Sequence, residues 1–154
     1  YMFTHPGKKL NFMGNELALF DEWNEDKALH FDILSYPIHD SFNKFFKDIS
    51  KLYVSEKCLY IGEYDSSMFK WISCDSLDNV FIYQRNYKKS SIIVILNFSA
   101  NQFNHYQFEV DKTSGHFVEI LNTDNNIYNG YGFINNYDIK INNKKIQNVI
   151  IPNN

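Results

Sequence analysis

The sequence contains few of the residues that usually reveal a chemical activity. Its two cysteines, Cys58 and Cys74, are too few for a disulfide framework and form no CxxC pair, so we expect both to be buried free thiols, as in a cytoplasmic protein. Its six scattered glycines make no phosphate-binding loop. Its five histidines show no metal-ligand spacing. The sequence therefore predicts no metal site and no cofactor.

A basic surface and a long apolar run are also missing. The chain has a single arginine, Arg85, and a formal net charge of −3, which argues against a nucleic-acid partner. No apolar run approaches the roughly 18 residues that a membrane span needs, so no membrane partner is expected. The 154 residues suffice for one domain, or for a domain plus a piece of another.

No catalytic nucleophile can be assigned, because the chain has no GxSxG motif and no cysteine near a histidine in a known pattern. Acidic residues crowd the segment 15–37, namely Glu16, Asp21, Glu22, Glu25 and Asp26. Two interpretations stay open: a solvated acidic loop, or a loop that approaches a substrate. Glu16 favours the second interpretation, because it follows the end of a predicted strand, where barrel enzymes carry their active-site residues.

The N-terminal part has the pattern of a single βα unit. Residues Lys9–Met13 predict a short strand that Gly14 ends, and residues 15–37 form a long loop. A helix follows Asp40, its predicted N-cap. The apolar positions of this helix fall on one face: Phe42, Phe45, Phe46, Ile49, Leu52 and Tyr53. Since one strand and one helix do not make a domain, we expect residues 1–57 to be the last βα unit of something larger. The chain also begins at Tyr1 and not at Met, so we expect a processed chain or a piece of a longer polypeptide.

Residues 58–154 predict an all-β domain. Short runs with a period of two residues give seven strands, at 69–74, 79–85, 91–98, 104–110, 116–121, 137–141 and 146–151. Their spacing of about ten residues indicates an antiparallel β-sandwich. The run Ile92–Leu96 is apolar on both faces and is therefore predicted to be a central strand.

Several motifs, taken together and in order, resemble the end of the 1,4-α-glucan (glycogen) branching enzymes. They are HPGKKLNFMGNE at 5–16, EWN at 22–24, ALHF at 28–31, LSYPIH at 34–39, FKWI at 69–72, NFS at 97–99 and EILNTD at 119–124. Tyr128, Gly130 and Gly132 fall in the family's glycine-rich continuation. The chain departs from the family at Leu17 and Leu19, and at His30-Phe31, where the family has Asp-Trp.

The resemblance implies a parent enzyme that cleaves an α-1,4 glucan chain and reattaches it through an α-1,6 bond. The fold it implies is mainly β with a small α/β part: the last βα unit of a (β/α)8 barrel at 1–57, followed by the sandwich at 58–154. The family's catalytic carboxylates lie on earlier barrel strands, so no residue here is expected to be catalytic. The substrate-binding candidates are Glu16, Trp23 and Asn24, and Trp23 either stacks on a glucose ring or fixes the loop to the barrel.

Three hypotheses about function follow. The chain is an inactive fragment of a cytoplasmic branching enzyme, whose partners are α-glucan and the rest of the barrel. Alternatively, the β-domain of this or another α-glucan-active enzyme binds glucan by itself, or it is purely structural. The apolar helix face also predicts that the isolated chain self-associates.

Overall fold

Seven antiparallel strands and two helices make up the regular structure of the computed structural model, which describes residues 1–153. The helices are α1 (Pro37–Ser55) and α2 (Lys57–Tyr60). The strands are β1 (Phe69–Asp75), β2 (Val80–Tyr87), β3 (Ser90–Asn97), β4 (Phe103–Glu109), β5 (Ser114–Phe117), β6 (Ile139–Asn142) and β7 (Lys145–Ile151). Short 3-10 turns occupy Asn15–Leu17, Phe31–Ser35, Ser66–Met68 and Asn126–Tyr128.

The strands form two sheets that share one core. The first sheet has the order β1-β2-β3 and the second has the order β4-β7-β6-β5. Val80 and Ile82 of the first sheet pack with Ile146 and Val149 of the second, and all four are at most 2% exposed. Burying apolar side chains from both inner faces holds the two sheets together. The prediction of a mainly β, antiparallel fold is confirmed.

The first sheet is covered on its outer face as well. Cys58 and Leu59 of α2 are fully buried, and α2 contacts β2 and β3. Arg85 on the outer face of β2 is also fully buried and donates to the carbonyls of Thr4 (3.0 Å) and Leu59 (3.2 Å). The only arginine of the chain therefore joins the N-terminal segment and α2 to the sheet.

The prediction that Ile92–Leu96 is a central strand was wrong. These residues lie in β3, which is an edge strand among the described residues 1–153, and the central strand of its sheet is β2. The two-sided apolar pattern has a different cause, because Ile93 and Ile95 face the shared core while the other face lies under α2. Coverage of both faces, and not a second neighbouring strand, accounts for the sequence.

Two strand boundaries differ from the predicted ones near the polar loop that joins β5 to β6. The strand predicted at 116–121 is Ser114–Phe117, and the strand predicted at 137–141 is Ile139–Asn142. The difference arises because the Glu119 carboxylate accepts hydrogen bonds from Asn122 (3.0 Å) and Asn135 (2.7 Å). Side chains there replace the strand ladder as hydrogen-bond partners.

The strand predicted at Lys9–Met13 does not form. Within the described residues no other strand pairs with this segment, and Leu10, Phe12 and Met13 are 78%, 52% and 55% exposed. A parallel barrel strand depends on hydrogen bonds to neighbours that lie far away in the sequence. An apolar pattern alone does not supply them.

The predicted helix is present as α1, but it begins at Pro37, before the predicted cap Asp40. Proline suits the first turn of a helix because its fixed φ is helical and its missing N–H is not needed there. Asp40 instead pairs with Lys44 at 2.7 Å, one turn further along. The expected apolar face packs only in part, since Ile49 is 6% exposed and Phe42 is 37% exposed.

Two further observations concern exposure. Cys58 is buried as predicted, but Cys74 is exposed, so the expectation of two buried thiols was wrong for Cys74. No helix within residues 1–153 combines the length and apolar character needed to cross a membrane.

Candidate functional site

The candidate site is an open groove of about 600 Å³ in the long loop before α1. The loop folds back over the 3-10 turn Phe31–Ser35, so that residues from 19 to 36 form its walls. Trp23 and Asn24 line the groove, as do the acidic residues Asp21 and Glu22. Indole rings and carboxylate or amide groups are the chemistry that binds sugars, through stacking on the ring and hydrogen bonds to hydroxyls.

Trp23 is held in place by another aromatic residue. Its ring packs edge-to-face against Phe12, with centroids 5.4 Å apart and an interplanar angle of 82°. The side chain is still 38% exposed. Trp23 therefore ties the loop to the segment before Gly14 and also keeps part of its surface available to the groove.

Asn24 shapes the loop through its own side chain. Its Oδ1 accepts a hydrogen bond from the backbone N–H of Asp26 at 2.8 Å, and its carbonyl oxygen accepts from Lys27 at 3.2 Å. Asparagine favours such turns because its side chain imitates a backbone carbonyl. This turn fixes the direction of the chain directly after Trp23.

Glu16 lies apart from the other two candidates, outside the groove lining. It sits in the 3-10 turn Asn15–Leu17, and its carboxylate accepts from the side chain of Asn11 at 3.1 Å. The structure thus brings Trp23 and Asn24 together and leaves Glu16 on a neighbouring turn.

Two buried polar residues of α1 hold the turn that carries Glu16. Asn43 donates to the carbonyl of Glu16 at 2.9 Å, and His39 contacts the carbonyl of Leu17 through Nδ1 at 3.0 Å. Because a carbonyl only accepts, Nδ1 of His39 carries the proton. From the sequence, every histidine is expected to have either a surface role or a hydrogen-bonded structural role, and His39 has the second. Asn43 was missed. The available signal was their spacing of four residues, which places both on one helix face.

Gly14 makes the approach to this turn possible. Its φ of 86° lies in the left-handed region, and a Cβ at this position would sit 2.4 Å from Cδ1 of Leu19. Only glycine fits both the backbone conformation and the space. The glycine in the Met-Gly-Asn-Glu sequence at 13–16 is therefore required by the local backbone conformation and by the space beside Leu19.

The 3-10 turn Asn126–Tyr128, which follows the Asn-Thr-Asp turn of the β-domain, contacts the same helix. Asp124, 8% exposed, accepts hydrogen bonds from the backbone N–H groups of Tyr131 (3.0 Å) and Phe133 (2.8 Å). The loop so formed presents Tyr128, whose hydroxyl donates to Asp48 of α1 at 2.9 Å. Burial, together with the hydrogen bond to Asp48 and its charge, raises the pKa of Tyr128 to about 12. The long loop and the β-domain are therefore connected through α1.

No metal centre is formed by the described part of the chain, in which no three His, Cys, Asp or Glu side chains come together as ligands. The acidic side chains Asp21, Glu22, Glu25 and Asp26 are all exposed. Their arrangement is that of a solvated acidic loop beside a groove.

A comparison with known protein families decides the family. Residues 71–153 match the model described as the alpha amylase C-terminal all-beta domain, which is more than half of the chain. The chain belongs to this family. The match covers all seven strands apart from the start of β1.

The similarity to curated relatives extends over more of the chain than this domain match. The 1,4-alpha-glucan branching enzyme GlgB of Synechocystis sp. is 37% identical over 133 residues, which is 84% of this chain and 17% of that protein. The branching enzyme of Nitrosococcus oceani is 38% identical over 140 residues, 90% of this chain and 19% of that protein. The branching enzyme of Oceanobacillus iheyensis is 37% identical over 138 residues, which is 88% of this chain and 22% of that protein. The resemblance to branching enzymes is confirmed, and the chain spans about a fifth of their length.

Proposed function

We propose that this chain is the C-terminal portion of a cytoplasmic 1,4-α-glucan branching enzyme, which cleaves an α-1,4 glucan chain and forms an α-1,6 branch. The observation that carries the proposal is the extent of the similarity. The similarity to the branching enzymes covers 133 to 140 residues of this chain. The similarity to the β-domain family covers only the 83 residues from 71 to 153. The N-terminal loop and helix therefore share the resemblance.

The exposed apolar side chains of the N-terminal part support the proposal that residues 1–57 complete a barrel. Leu10, Phe12 and Met13 lie on the segment predicted as a strand and are more than half exposed. Neighbouring barrel strands would cover them and supply hydrogen bonds to their backbone. The proposed boundary at 57/58 is supported by Cys58 and Leu59, which are fully buried against the first sheet.

In this proposal the chain itself carries no catalytic residue. Its contribution is a scaffold and one substrate-side loop, in which Trp23 and Asn24 face an acceptor or donor glucan chain, while Glu16 stands on a neighbouring turn outside the groove. His39 and Asn43 position the turn of Glu16 through the carbonyls they bind.

A chimera tests the proposal. Residues 1–153 replace the matching segment of the Synechocystis branching enzyme, and α-1,6 linkages formed on amylose are counted by proton NMR. We expect branching by the chimera and none by the chain alone. Branching by the chain alone, or a folded chimera that has lost branching while still binding glucan, would contradict the proposal.

A second candidate function, glucan binding by the β-domain itself, is favoured by Trp71. Its ring is 42% exposed on β1 and stands edge-to-face with Phe69 (5.4 Å) and Tyr83 (5.4 Å), so it is held rigidly at the surface. Rigid exposed indoles bind sugar rings at low entropic cost.

Native electrophoresis in gels containing glycogen separates the two candidates. Retardation that Trp71→Ala abolishes and Trp23→Ala preserves supports the β-domain as a binding module. The reverse pattern supports the loop, and equal mobility with and without glycogen excludes glucan binding by the isolated chain.

A further inference from the structure

The side chain of Glu63 brings together three parts of the chain. It follows α2, on the β-domain side of the proposed boundary at 57/58, and its side chain is 9% exposed. Its carboxylate accepts hydrogen bonds from the backbone N–H of Gly7, from the ammonium of Lys9 (3.4 Å) and from the hydroxyl of Tyr53 (3.3 Å), near the end of α1. Three donors around one nearly buried carboxylate fix its position and that of the groups it binds.

Lys9 is the member of this group that begins the segment predicted as a strand. Its ammonium also donates to the carbonyl of Gly7 (2.7 Å) and lies 5.2 Å from the centre of the Tyr53 ring. The side chain is only 11% exposed. Burial lowers the pKa of Lys9, and the charge and hydrogen bond of Glu63 oppose that shift. The Glu63 carboxylate is thus the counter-charge that keeps the Lys9 ammonium in place.

The β-domain also holds the residues before Gly7. Arg85 donates to the carbonyl of Thr4 at 3.0 Å, and the hydroxyls of Thr4 and Tyr83 are hydrogen-bonded to each other. Arg85 and Tyr83 both lie on β2 and are fully buried. The β-domain therefore fixes the path of the chain at Thr4 and again at Lys9.

The other end of the segment is held by α1. Asn43 donates to the carbonyl of Glu16 at 2.9 Å. Leu17, the next residue, is 1% exposed, so its side chain anchors the turn in the protein interior. The segment from Lys9 to Glu16 is therefore attached at both ends, by different elements.

The segment between these attachments has little slack. The chain from Lys9 to Phe12 spans at most about 10 Å. The turn from Phe12 to Asn15, closed by a hydrogen bond from the Asn15 N–H to the Phe12 carbonyl, adds less than about 7 Å. On the helix side, Asn43 and Tyr53 are separated by about 15 Å of α1. The chain is thus hardly longer than the stretch of helix beside it, so its position depends on both attachments.

We propose that Glu63 is a positioning residue for the loop that carries Trp23. Phe12 lies between the two attachments, and its ring packs against Trp23 with centroids 5.4 Å apart. Without the Glu63 carboxylate, the segment is held only at its Glu16 end, and Phe12 loses the fixed place from which it holds the Trp23 ring. The β-domain thereby determines the position of a side chain on the N-terminal loop. Only the step from Trp23 to glucan rests on the proposed function.

The fluorescence of Trp23 tests the proposal in this chain without any glucan. In a Trp71→Phe background Trp23 is the single tryptophan. Glu63→Gln should increase quenching by acrylamide about twofold in the absence of denaturant and move the emission to longer wavelength, because a released ring is more exposed. Glu109→Gln, at an exposed position of β4, is the matched control and should change neither quantity. Unchanged fluorescence in Glu63→Gln, or an equal change in the control, overturns the proposal.

A purely structural role for Glu63 gives a different pattern. The urea midpoint of Glu63→Gln would then fall while the quenching of Trp23 in the folded chain stayed the same, and this result too overturns the proposal. If circular dichroism shows that Glu63→Gln does not fold, Lys9→Met removes the same attachment and leaves the hydrogen bonds of Glu63 to Gly7 and Tyr53. It should give the same increase in quenching, and no increase contradicts the positioning role.

The chimera described above separates this inference from the proposed function. In the chimera, Glu63→Gln should raise the KM for amylose about threefold and change kcat less, because a displaced loop weakens substrate binding. Increased quenching in this chain together with an unchanged KM in an active chimera supports the positioning role of Glu63 and contradicts the assignment of Trp23 to the substrate. Unchanged quenching overturns the positioning role whatever the chimera does.

Discussion

The two parts of the chain bury their apolar side chains to different extents. In the β-domain, Ile82 and Ile146 are 0% and 1% exposed and touch neighbours from both sheets. In the segment before α1, Leu10 and Phe31 are 78% and 59% exposed. The core of the β-domain finds its packing partners within the chain, whereas the segment before α1 buries Leu17 and Ile33 but leaves Leu10 and Phe31 largely uncovered. The free energy of folding of this chain is therefore expected to come mainly from the two sheets and the elements that cover them.

The largest expected effect comes from truncating one apolar side chain in each part and comparing the change in the free energy of unfolding. Ile146→Ala leaves a cavity between the sheets and should lower the free energy of unfolding by about 2–5 kcal/mol. Leu10→Ala, at an exposed position, should change it by less than about 0.5 kcal/mol. Urea denaturation followed by circular dichroism measures both. Similar losses for the two variants would show that the N-terminal segment is packed in solution.

A smaller effect is expected where the β-domain builds its polar loop. Asp124→Asn turns one of two accepting oxygens into a donor that faces a backbone N–H of Tyr131 or Phe133. Leaving that buried N–H unsatisfied should cost about 1–3 kcal/mol of unfolding free energy. Asp138→Asn, an exposed matched control, should be neutral in the same urea titration. Equal stability of the two variants would mean that the loop is solvated.

The smallest effect concerns the contact between the two parts. Tyr128→Phe removes the hydrogen bond to Asp48 and should cost about 0.5–1.5 kcal/mol at neutral pH. Tyr131→Phe, at a residue 81% exposed, is the matched control. A loss confined to Tyr128→Phe identifies the contact as one made in solution.

The pH dependence of the same pair sharpens the test. The pKa of Tyr128 is raised from 10.0 to about 12, so the folded state favours the neutral phenol. Its stabilisation is complete below pH 10 and is lost as the pH rises towards 12. Burial raises the pKa of Tyr83 to about 12 as well, so it contributes in the same window. Urea midpoints measured from pH 8 to 12 should fall less steeply for Tyr128→Phe than for the parent chain.

Patterns that depend on local partners were predictable from the sequence. The period of two residues located all seven strands, and the apolar spacing from Phe42 to Tyr53 located α1. The start of α1 was misplaced because Asp40 and Pro37 are both acceptable near a helix N-terminus, and proline at the first position prevailed.

Features that depend on distant partners were not predictable. Lys9–Met13 has the pattern of a strand, but a strand forms only beside other strands, and the pattern does not show whether those are present. The edge position of β3 was missed because apolar residues on both faces report burial and not the number of neighbouring strands. In the candidate site, Trp23 and Asn24 were named from motifs, whereas Asn43 acts through a carbonyl 27 residues away in sequence, which composition cannot show.

The hydrogen bonds along α1 have a mechanical consequence. His39, in its first turn, holds the carbonyl of Leu17, and Asp48, further along the same helix, holds Tyr128 of the β-domain. Nine residues at 1.5 Å each separate these attachments by about 14 Å of rigid helix. The helix therefore joins the β-domain to the turn beside Glu16 through a single rigid element. We expect substitutions on the domain surface around Tyr128 to change the position of this turn without contacting it.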